Sequence, residues 1–140
     1  MEGQCSMTTD PRVELHNRIE IIESGYEFML AYAAQGHESD KDAGQEQDIR
    51  KYLNDIDKAL DDLGTLSTKV AEESNADSVN NYRTFLEALD SDAKKAQGVV
   101  RLVLAQSAIS SLLIDNLNAS SHLRALLTDM FVIDEAFKRL

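Results

Sequence analysis

Residue types able to do chemistry are thinly spread along this chain. His16, His37 and His122 are the three histidines, and no two of them share a segment at the spacing that sets metal ligands on one helix face. None follows a glutamate by three positions, the pairing on which a di-iron carboxylate bundle is built. Cys5 is the single cysteine, which excludes an intramolecular disulfide and a paired-cysteine zinc site. The phosphate-cradling patterns G-x-G-x-x-G and G-x-x-x-x-G-K-[ST] are absent, and so is the G-x-S-x-G of a nucleophile elbow. No catalytic residue, metal ligand or cofactor is therefore assigned, and a non-catalytic role is the expectation.

One stretch stands apart: "DNLNASSHLRALL", residues 115–127, a polar island in the most apolar part of the chain. It reads as a helix boundary, a ligand contact, a glycosylation acceptor at Asn118-Ala119-Ser120, or a polar layer that fixes how helices pair. The opening "MEGQCSMTTDPR" has no signal-peptide pattern, and Met7 is an alternative start. A cytoplasmic location is expected, which removes the glycosylation reading.

Charge narrows the partners. With 25 Asp and Glu against 14 Lys and Arg, the formal net charge is −11. Phosphate neutralisation needs an excess of cations, so neither nucleic acid nor an anionic membrane surface is expected as a partner. Glu20, Glu23 and Glu27 form a helical stripe, and Asp55, Asp57, Asp61 and Asp62 crowd a second segment. These are solvated faces or a docking surface for a basic protein, and spacing does not separate the two.

The elements that carry these residues are helices. At 140 residues the chain is long enough for one domain with a real core, and one Pro with six Gly is too few for the turns of a β protein. Apolar spacing predicts four helices over about residues 11–35, 46–73, 77–105 and 108–140, behind a flexible tail over residues 1–9. Asp10 is the expected N-cap of the first, with Pro11 at its first turn. The polar run "GHESDKDAGQEQD" reads as a loop. Gly64 weakens the second helix without interrupting its pattern. The last seam runs Ile109, Leu112, Asn116, Ala119, Leu123, Leu126, Met130, Ile133, Phe137, Leu140 in steps of three and four; a boundary at Ser120 or Ser121, with serine as N-cap, is the alternative. Steps averaging about 3.5 residues predict an all-α, antiparallel up-down four-helix bundle with coiled-coil-like packing.

In that register Asn116 lies on the seam opposite Tyr26, beside Gly98, whose missing side chain would admit a close backbone. Tyr26 and Asn116 are thus the candidate polar core layer, the alternatives being a ligand contact or exposure of a rotated last helix. The last two predicted helices carry more apolar surface than one bundle face buries. Leu102, Leu113, Ile114, Leu127 and Phe131 are the candidate interface, and a homodimer through those helices is expected. The leading functional expectation is a small protein–protein interaction module: an adaptor, regulatory subunit or assembly factor. The runner-up is a sensor or carrier holding an apolar small molecule in the bundle core, lined by Tyr26, Met29, Tyr82, Asn116 and Met130.

Overall fold

The computed structural model describes residues 10–41, 46–74 and 76–138, and among these every regular element is a helix. They are α1 (Pro11–Ala34), α2 (Glu46–Leu60), α3 (Leu63–Ser74), α4 (Ala76–Leu104), α5 (Ser111–Ala119) and α6 (Ser121–Phe137). The fold class is all-α. No helix is long and apolar enough to cross a membrane, among the described residues. The predicted tail over 1–9 lies outside the described residues.

Two of the four predicted helices are broken. The second becomes α2 and α3, separated at Asp61 and Asp62, where Asp62 has a φ of +53°. Aspartate enters this left-handed region more readily than most residues. Side chains from both flanking helices take up the carbonyls released at the end of α2. Arg18 of α1 donates to Ala59 O at 3.4 Å and also to Asp61 O. Gln97 of α4 donates to Asp57 O at 2.9 Å and to Asp61 Oδ1 at 2.6 Å. A helix end with its carbonyls satisfied in this way is stable without continuing the helix. Just beyond the break, α3 approaches α4 so closely that a Cβ on Gly64 would lie 2.7 Å from the Asp90 Cα. Glycine is a packing requirement there.

The last predicted helix is broken at Ser120 (φ −59°, ψ 132°), which ends α5 and caps α6 by accepting from the His122 N–H at 3.2 Å. This break resets the helical phase. In α5 the buried residues are Ser111, Ile114, Leu117 and Asn118, whereas Leu112, Asn116 and Ala119 are exposed. In α6 the predicted run of Leu123, Leu126, Met130, Ile133 and Phe137 is buried. The seam traced through the island therefore holds on one side of Ser120 and fails on the other.

Packing joins these pieces around one apolar cluster, with Ile22, Met29, Ile56, Leu89, Val100, Ile114 and Leu126 in its interior. α1 packs on α2 and α5, α3 on α4, and α4 on α6.

Candidate functional site

The predicted site residues do not come together. Asn116 is exposed and Tyr26 only half-buried, so the proposed polar layer is absent. Gly98 is exposed too, with nothing within 4 Å of where its side chain would stand, so it admits no close backbone. The buried amide of the island is Asn118, two residues on. Its Nδ2 donates to Met29 O at 3.2 Å, and its Oδ1 is sealed from solvent without a partner. The candidate interface divides. Ile114 and Leu127 are inside the chain's own core, and Leu113 is half-buried against it. Leu102 and Phe131 are exposed, but on different sides of the molecule. Phe131 flanks Leu127 on the edge of α6 that, near its end, faces α1, where Asp134 and Phe137 meet Leu15 and His16. Of the residues assigned to a carrier pocket, Met29 and Met130 are buried in the core cluster, Tyr26 and Tyr82 pack against it, with the ring of Tyr82 on Phe137 at 6.0 Å, and Asn116 is exposed.

Three features were not assigned from the sequence. The first is a polar clasp where the end of α1, its following loop and the α4–α5 connection meet. The Asp40 side chain is fully buried; Oδ1 accepts from the Ile109 N–H at 2.8 Å and Oδ2 from Arg50 Nε at 2.8 Å. Arg50 reaches on to Leu104 O at 3.1 Å and Gln106 O at 2.9 Å, satisfying carbonyls at the end of α4. The Tyr32 hydroxyl donates to Ile109 O at 2.7 Å, and Ser111 Oγ to Tyr32 O at 2.7 Å. His37 and Ser111 exchange two more bonds at 2.8 Å. Burial by itself raises the Asp40 pKa, but the Ile109 N–H and the Arg50 guanidinium outweigh it and hold the carboxyl below its usual value. The segment Gly36–Lys41, expected to be part of a loose loop, is thus fastened through a group that is ionised above acid pH.

The second feature is a pair of carboxyls, Asp92 on α4 and Asp129 on α6, both half-buried. Oδ2 of Asp129 is shielded from solvent and meets no donor. Burial first, then hydrogen bonding to Asp92 and its charge, push the Asp129 pKa up to about 7. The third is the outer stripe of these two helices. Because Asp129 faces Asp92, the flanks outside that contact are identified by helical spacing. They carry Thr84, Ala88, Val99 and Leu102 on α4, and Ala125, Thr128, Val132 and Ala136 on α6, all exposed or half-exposed. Lys95 is the remaining charged group on the α4 stripe, and exposed Glu135, three residues past Val132 and two turns past Thr128, borders the α6 one.

Elsewhere several acidic residues are engaged by cations. Asp57 meets Arg101 Nε at 2.8 Å, Asp55 meets Lys51 at 2.9 Å, and Asp90 meets Lys94 at 2.9 Å. His16 is exposed and pairs with Glu20 at 3.3 Å, His122 is exposed, and His37 bonds Gln35 at 2.8 Å. Among the described residues, no three His, Cys, Asp or Glu side chains are grouped to hold a metal ion. Compared with known protein families, with curated proteins and with solved structures, the chain matches none.

Proposed function

We propose that this chain is a non-catalytic protein–protein interaction module, an adaptor, regulatory subunit or assembly factor of the cytoplasm, and that it acts as a homodimer. In this reading the six helices work as four rods, α1, α2–α3, α4 and α5–α6, running up and down. The ties at the two ends support that course: Tyr32 to Ile109 and Arg50 to Leu104 at one, Arg12 Nη2 to Ser74 Oγ and Tyr82 on Phe137 at the other.

The observation that carries the dimer is the outer stripe of α4 and α6. Leu102 is 64% exposed and Val132 is 51% exposed, with small residues among their neighbours and Lys95 and Glu135 as the exposed charges beside them. Two copies of a chain with a net charge of −11 repel over most orientations. They approach at least cost where apolar side chains are uncovered and free carboxylates are few; on this stripe the bordering Glu135 is paired with Lys138 at 3.6 Å. Of the residues selected from spacing, Leu102 belongs to it, and Val132 replaces Ile114, Leu127 and Phe131 as its second anchor.

The test is the solution mass by light scattering over about a hundredfold range of concentration. A dimer is expected for the native chain, and a monomer of unchanged helicity for the Leu102→Glu, Val132→Glu double variant. A native chain that stays monomeric throughout the range defeats the reading.

A further inference from the structure

The association reading makes no use of the Asp92 and Asp129 carboxyls, although they meet across two packed helices. We propose that Asp92 and Asp129 hold one proton between them and form a latch joining α6 to α4, fastened while the proton is present and loosened when it leaves. The latch lies within one chain and does not depend on dimerisation.

The chemistry follows from donor count. An ionised carboxylate only accepts, so two in contact repel unless one carries a hydrogen. Oδ2 of Asp129 is shut off from water and has no donor from any other group. Four residues away, spacing sets Ala88 and Ala96 beside Asp92, and Ala125 and Ile133 beside Asp129, and none of these apolar neighbours stands in for water. Tyr82, nearly three turns before Asp92, is held in its stack on Phe137; the other ionisable groups on the facing flanks are Lys95, one turn from Asp92, and His122, two turns before Asp129. Both are exposed, and among the described residues neither forms an ion pair with the carboxyls. α5 also packs on α4, but its one ionisable residue, Asp115, lines a groove beside Gly36 and Glu38 instead. On the flank of α4 that meets α2 and α3, Arg101 and Lys94 are engaged by Asp57 and Asp90.

The direction of the pH effect is fixed by the raised pKa. Folded Asp129 keeps its proton to about pH 7, whereas a carboxyl with the ordinary value of 3.8 has lost it long before. The stabilisation is therefore complete below about pH 4 and is lost as pH rises through 7. Loosening is confined to α6 because the helical ladder is interrupted at Ser120, so α6 can shift without carrying α5 with it.

The experiment is an NMR titration of the side-chain carboxyls. It is combined with thermal melts of the native chain, Asp129→Asn and Asp92→Asn at one concentration. The asparagine amide donates to the remaining carboxylate, so either variant keeps the contact without a proton. One carboxyl should titrate near pH 7. Between acid and alkaline buffer the native Tm should fall roughly 5 °C further than that of either variant. Amide protection, corrected for intrinsic exchange, should drop in α6 of the native chain at alkaline pH and not in Asp129→Asn. Carboxyls that all titrate in the ordinary acid range would overturn the latch, as would parallel melts of the three proteins or a loss of protection spread evenly over every helix. The native titration decides even if neither variant folds.

Discussion

At the scale of single residues, the buried polar groups divide by whether their partners are complete. Asp40 has two donors and no exposure, so removing it strands the Ile109 N–H and leaves Arg50 without its carboxylate, held only by the Leu104 and Gln106 carbonyls. Asp40→Ala should cost about 3 kcal/mol in denaturant unfolding, because Arg50 retains some access to water while Ile109 does not. Its depressed pKa also has a signature. The stabilisation is present above the ordinary carboxylate value and is lost as pH falls through the folded one, so the native chain should shed it only in strong acid. An acid limb that survives unchanged in Asp40→Asn would contradict this assignment. Asn118 is the opposite case, with one bond made and one oxygen unsatisfied. Asn118→Leu should raise stability by roughly 1 kcal/mol, since it removes an unmet acceptor from an apolar site. The same change at exposed Asn116 should move the melting midpoint little.

Breaks and close approaches govern the scale of the elements. α2 and α3 are separate because Arg18 and Gln97 satisfy the carbonyls that an unbroken helix would have used. Gly64, second in α3, sits against the backbone of α4 at Asp90, while Gly98 on the same α4 faces open solvent. The two glycines should thus respond with opposite signs. Gly64→Ala should destabilise by roughly 1–3 kcal/mol, because a backbone atom cannot move aside as a side-chain tip can. Gly98→Ala should stabilise by about 0.5–1 kcal/mol through helix propensity alone. Denaturant midpoints of the two variants decide this directly, and equal signs would mean that α3 does not pack on α4 at that point.

The whole molecule is shaped by its charge. A net charge of −11 sets two copies against each other at long range, and in the proposed dimer the short-range attraction comes from the exposed Leu102 and Val132. Dimerisation should accordingly strengthen with ionic strength, as the Debye length shrinks from about 30 Å at 0.01 M to about 10 Å at 0.1 M. Light scattering at the two ionic strengths measures this. Association that weakens with added salt would mean that opposite charges, such as Lys95 against a partner carboxylate, drive it instead.

The helical class, the start of α1 at Asp10 and Pro11, the end of α4 near residue 105 and the buried stripe of α6 were legible in the sequence. The end of α4 rests on length, since one helix from about residue 77 to residue 140 would outrun a domain of this size; the others rest on local chemistry or on a run of apolar residues within one unbroken helix. The rest required the tertiary structure. A spacing of three and four continues smoothly through Ser120, yet the extended backbone there resets the phase and exchanges Asn116 for Asn118. The break at Asp62 depends on side chains contributed from α1 and α4, far away along the chain. Asp40 looks like one acid in a polar loop until Ile109 and Arg50 arrive beside it, and Asp92 and Asp129 look like two solvated carboxylates until α4 meets α6. Periodicity reports which side of a helix is apolar; it carries no information about which polar groups distant helices will bring within hydrogen-bonding distance.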